Sequence, residues 1–227
     1  MSGEQTDRAA IDEAVAAGDL VLATMACDRL SDDLTGAGDL AAAEQVTREG
    51  IAYLRSIGDE HGHDGFVEGS TLRLYARLMY LVRPSPEALA LADELVDVML
   101  KGRAHPMDVA EALAIRACAN VDCGTIDQAM TAARLAVSQS EDVCFHELSR
   151  ETEEAVAGRL RREGRGAEAD VWAARADGRL DLVIPGHVHL WELEFADDGM
   201  LVPRPKSRQH GGPDYEKTPG HQPFAAI

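Results

Sequence analysis

The chain has 227 residues and a formal net charge of −18; hydrophobic residues make up 45% of it, but aromatics only 4%. A field of that sign repels phosphate backbones and anionic lipid, so neither nucleic acid nor a membrane surface is an expected partner. Alanine and leucine carry the apolar content, which favours close helix–helix packing over a β-sandwich.

From the start of the chain, Met1 to Asp7 offers neither a basic stretch nor an apolar one, so no secretory signal is expected. No apolar run approaches the ~20 residues that span a bilayer. The four cysteines, Cys27, Cys118, Cys123 and Cys144, form no CxxC pair. Reduced, structural thiols and a cytoplasmic location are the reading that follows.

The first 180 residues are predicted to be helix after helix. A first helix over 6–17 ends at Gly18-Asp19, and a second over 20–34 carries Leu22, Met25, Ala26 and Leu30 on one face. Asp39 caps a third, with Ala43, Val46, Gly50, Tyr53, Leu54 and Ile57 inward, which dissolves in a polar, Gly-rich loop over 58–65. A fourth, over 66–82, stops before Pro84. Ser85-Pro86-Glu87 combines a cap, proline at the first helical position and an acid at the positive end of the dipole. That helix is expected to reach Leu100. His105-Pro106 opens another that ends at Cys123-Gly124, and Thr125 caps the next, over 126–138. Two more are expected over 142–163 and 166–179, giving about nine.

Small residues recur around two glycines. Leu113 and Ala117 precede Gly124, with Ala129, Ala133 and Ala136 after it; Ala157 and Leu160 precede Gly164, with Ala169, Ala173 and Ala176 after it. Alanines at those offsets let two helices of a hairpin cross closely. The pattern resembles the tetratricopeptide repeat (TPR), with its helix–turn–helix period of about 34 residues. That resemblance implies an all-α solenoid of helical hairpins over 1–180, with a concave groove in which peptides or partner segments bind. Arg73, Arg77 and Arg116 fall on the opening helices of such hairpins, where arginines clamp a partner carboxylate. The other reading of all three is salt bridging to the abundant acids of the chain. Asp28, Asp32 and Asp33, at helical spacing, read either as a solvated helix end or as ligands for a hard cation.

Beyond residue 180 the composition changes, with most of the prolines and half of the histidines. His187, His189, Trp191, Leu193 and Phe195 alternate at period 2, Asp197-Asp198-Gly199 is a turn signal, and 200–202 returns. The expectation is a β-hairpin over 181–203 that docks through Trp191 and Phe195, then a Pro/Gly-rich irregular tail over 204–227. A two-stranded hairpin is marginal alone, so this one must lie on the helices or on a second copy of the chain, making a homodimer.

Catalytic signatures are missing. His146-Glu147 lacks the second histidine of a metalloprotease helix, since position 150 is arginine, and neither a phosphate-cradling loop nor a nucleophile elbow occurs. The run His187-x-His189-x4-Glu194, followed by Gly199, resembles part of the first metal-binding motif of cupins. This implies a divalent metal on His187, His189 and Glu194, in a metal-binding protein or metal-dependent enzyme. His61-Gly-His63-Asp64 is a second such cluster, otherwise read as an exposed loop. The leading expectation is a non-enzymatic scaffold or adaptor that binds a peptide or partner protein and needs no cofactor. The alternatives are that metal site and a small-ligand-sensing regulatory module.

Overall fold

Capping side chains divide the chain into its helices. In the computed structural model, residues 3–57, 65–179, 191–195 and 201–205 are described, with side chains over 6–57 and 69–179. Up to residue 179 the described elements are nine helices: α1 (Gly3–Ala16), α2 (Leu20–Ala37), α3 (Leu40–Ile57), α4 (Gly65–Val82), α5 (Pro86–Lys101), α6 (Pro106–Cys123), α7 (Ile126–Asp142), α8 (His146–Arg162) and α9 (Gly166–Asp177). Asp19 accepts the Leu22 N–H at 2.9 Å, Asp39 the Ala42 N–H at 3.1 Å, and Ser85 the Ala88 N–H at 3.3 Å. Thr125 and Gln128 form a reciprocal capping box. Each cap satisfies an orphaned backbone donor, worth about 1 kcal/mol.

The α7–α8 boundary departs furthest from expectation among the helices. The helix expected to begin at residue 142 starts at His146, and α7 runs on to Asp142. Cys144 makes the turn with φ +59°, a left-handed conformation uncommon outside glycine. The Phe145 N–H donates to the Ser140 carbonyl at 2.7 Å while its ring is buried. Burial of that ring fixes the turn, and neither glycine nor proline marks it in the sequence.

Short connections fold each helix back on its predecessor, so consecutive helices pack together. The even-numbered helices also pack on one another, α2 on α4, α4 on α6 and α6 on α8, forming a row. One apolar cluster joins α1, α2 and α3 through Ile11, Ala26, Cys27, Leu30, Ala43 and Val46; the larger runs from Ile51 to Trp172. Ala117, Ala129, Ala133, Ala136 and Ala169 are fully buried, and Ala157 and Ala176 nearly so. Gly124 has an ordinary φ, but a Cβ there would stand 2.9 Å from the Asn120 carbonyl oxygen. Gly164, by contrast, takes φ +75°.

Gly50 is where the small-residue packing is tightest. A Cβ at this position would lie 2.9 Å from the Cys27 Cβ and 3.0 and 3.2 Å from the two Leu74 methyls. In an open helix Gly→Ala gains about 1 kcal/mol. Here the obstruction is a backbone-anchored Cβ, so α2 must move. Gly50→Ala is expected to destabilise by roughly 1–3 kcal/mol in urea unfolding, and a rise in stability would refute the close approach.

Two strands follow, β1 (Trp191–Phe195) and β2 (Leu201–Pro205), paired antiparallel with Trp191 opposite Pro205 and Phe195 opposite Leu201. The hairpin was expected to close by residue 203, yet β2 continues to Pro205. Proline lacks a ladder donor but is tolerated on an edge strand, and each strand of a two-stranded sheet is an edge. The Cα trace of β2 lies alongside α4 and α6.

Candidate binding surfaces

Arg73 and Arg77 sit one turn apart on α4, and the face they share is turned onto α2. Arg77 is fully buried. Its Nη1 donates to Ser31 Oγ at 2.5 Å and to Asp28 Oδ1 at 3.2 Å, and its Nη2 to Asp32 Oδ1 at 2.9 Å. Arg73 donates to the other Asp28 oxygen from Nε at 2.7 Å and from Nη2 at 2.6 Å. Asp28 and Asp32 thus form an i,i+4 pair facing an i,i+4 pair of arginines. They are neither a solvated helix end nor an open cation site. Arg77 has no exposed atom to offer a partner, and Arg73 is committed to Asp28; in this structure both arginines fasten α4 to α2.

Arg116 is placed differently. It lines an open groove of about 660 Å³ with Asp93 from α5, Asn120 from α6, and Asp127, Gln128, Thr131, Ala132 and Leu135 from α7. The guanidinium stands 3.9 Å from Asp93, itself 71% exposed. Ion pairs that exposed contribute little, so Arg116 can exchange Asp93 for another carboxylate. Leu135, about half exposed, supplies an apolar floor.

The opposite side of α6 carries acid. Asp108, Glu111 and Asp122 fall at helical spacing on the side turned away from Arg116 and Asn120, with Glu111 buried. From α8, Glu147 and Glu151 lie one turn apart. Burial pushes the Cys118 thiol upward, with smaller contributions from Glu151 on α8 and Asp122 on α6. Neither the spacing of the repeats nor the arginines pointed to these acids; their signal in the sequence is the i, i+3, i+14 placement of Asp108, Glu111 and Asp122 on one helix face.

On α9, Trp172 lies against the Arg134 and Arg175 guanidinium groups, 5.9 and 5.4 Å from its ring. Beside it is a cavity of about 140 Å³ reaching Glu141 and Glu153. Glu153 is fully buried and accepts from Arg179 Nε at 2.6 Å.

Trp191 and Phe195 are the two ends of β1, and Glu194 pairs with Val202. His187 and His189, like His61, His63 and Asp64, lie outside the described residues. Among the described residues, no cluster of His, Cys, Asp and Glu is arranged to hold a metal, and no helix is long and apolar enough to cross a membrane. Comparison with protein-family models, with curated proteins and with solved structures finds no match to this chain.

Proposed function

We propose that the chain is a non-enzymatic interaction module, an α-solenoid of TPR-like hairpins whose row of even-numbered helices receives an extended polypeptide segment. The observation that carries this reading is that β2 lies alongside α4 and α6. A strand laid on a helical row has main-chain groups on one edge and side chains on alternate faces for recognition. In this reading the tail is the row's own ligand. Exchange of that segment between two copies would make a homodimer, the alternative geometry for the same contact.

Among the described residues the two apolar clusters lie between Ile11 and Trp172, and a chain ending at residue 180 retains them. Residues 1–180, titrated with a fluorescent peptide of residues 186–210, are expected to bind it saturably, with a Kd on the order of 1–100 μM by anisotropy. The full-length chain, its row already occupied, is expected to bind at least several-fold more weakly. A folded 1–180 chain that ignores the peptide would overturn the proposal.

A further inference from the structure

α7 and α9 both pack on α8, and the cavity of about 140 Å³ beside Trp172 is lined by all three. Arg134, Val137, Ser138 and Glu141 line it from one face of α7, at i, i+3, i+4 and i+7, and Trp172 and Arg175 line it from α9. α8 contributes Glu153, which is fully buried. The charges here are unequally committed. Arg179 grips Glu153 at 2.6 and 3.1 Å and reaches Glu141 at 2.6 Å, while Arg175 stands 3.5 Å from Glu153. Arg134 has no such engagement. Among the described residues its guanidinium lies against the Trp172 ring and pairs with no carboxylate. The Ser138 hydroxyl, one turn further along α7, likewise bonds to none of them. Arg134, Arg175 and Arg179 against Glu141 and Glu153 leave one positive charge in excess, in a chain of net charge −18.

We infer that this cavity is a binding site for a small monocarboxylate, distinct from the helical row that receives a polypeptide segment. The planar guanidinium fork of Arg134 takes the carboxylate, with Arg175 as the second cation, and Ser138 donates a hydrogen bond to it. Trp172 and Val137 meet the ligand's short apolar body. Size limits the class. About 140 Å³ is the room of roughly four or five water molecules, half or less of what a drug-sized ligand needs. Anions of about four to six heavy atoms fit, such as propionate or lactate. Charge and wall chemistry separate carboxylate from phosphate. A doubly charged phosphate would set its second charge against Glu141 and Glu153, and it has no apolar part to place on the ring.

The test uses the full chain with Trp191→Phe, which leaves Trp172 as its single tryptophan. Titration with sodium propionate at constant ionic strength is expected to change Trp172 emission saturably, with a Kd on the order of 0.1–10 mM. Saturation-transfer NMR on the propionate methyl group should give the same constant. Chloride and inorganic phosphate are expected to bind about tenfold more weakly or not at all. Arg134 is exposed, so Arg134→Gln should keep the helical circular dichroism spectrum while weakening propionate by about tenfold. Arg134→Lys, which keeps the charge but loses the fork, should fall between the two. Emission that drifts alike with every salt, or propionate binding unchanged in Arg134→Gln, overturns the inference. So does phosphate binding more tightly than propionate. The peptide titration of the 1–180 chain is a separate measurement, so either reading can fail alone.

Discussion

Arg77→Ala is expected to remove about 3–5 kcal/mol of stability, the largest loss we expect from a single polar substitution in this chain. The magnitude follows from what the guanidinium leaves behind. Asp28 is almost completely buried, and Asp32 nearly so. With Arg77 gone, Asp32 loses a 2.9 Å ion pair and Asp28 loses the contact on Oδ1, while Arg73 and Ser70 still donate to its other oxygen. Ser31 loses the 2.5 Å contact as well, though it still donates to the Asp28 carbonyl. A typical domain has only about 5–15 kcal/mol in total, so the variant should be marginal at 37 °C. Urea unfolding should show a lower midpoint at an unchanged slope. Replacing the whole network with neutral side chains, Arg77→Met and Arg73→Gln with Asp28→Asn and Asp32→Asn, should recover much of the loss, because the ions of the network are then removed together. A loss below about 1 kcal/mol for Arg77→Ala would show that water reaches these carboxylates and that the network is not dry. Arg73→Ala should cost less, since that side chain is partly exposed.

The network also shows what was legible in the sequence. The i,i+4 spacing of Arg73 and Arg77 correctly put both on one face, and Asp28 and Asp32 share that spacing on α2. That the two faces meet is a contact across 45–49 residues, and nothing in local periodicity selects it. Helix starts were readable because capping is local chemistry: Ser85-Pro86 and Thr125-x-x-Gln128 act where they stand. The turn at Cys144 was not, because burial of Phe145 imposes its left-handed conformation. The alanines after Gly124 marked the close helix contact, yet Gly50, tighter still, was visible only as one inward position among several. For the candidate surfaces, the sequence pointed to the arginines and the tail. The carboxylates of α6 and α8 went unnoticed because carboxylates are everywhere in this chain.

Trp172→Ala is expected to cost about 3–5 kcal/mol, the largest loss we expect from an apolar truncation. Trp172 is only 5% exposed and belongs to the main apolar cluster, of which it is the last described residue in the chain. It also sits against an existing cavity of about 140 Å³, so removing it opens a connected void rather than a gap the neighbours can fill. The two guanidinium contacts add about 0.5–1 kcal/mol each. The consequence extends beyond the ring. α9 is 12 residues long, too short to be stable without its packing, and Trp172, Ala169 and Ala176 are its buried residues. Once α9 frays, Arg179 is no longer held on the buried Glu153, and that carboxylate loses its 2.6 Å partner. The two losses are therefore coupled. Arg179→Ala should be costly in the native background but nearly silent on top of Trp172→Ala, so the double mutant should fall short of the sum by about 1 kcal/mol or more. Full additivity in urea unfolding would mean that Trp172 anchors α9 without controlling the Glu153–Arg179 pair. A sub-additive result would make the ring and the ion pair one cooperative clasp that closes the last turn of the helical stack.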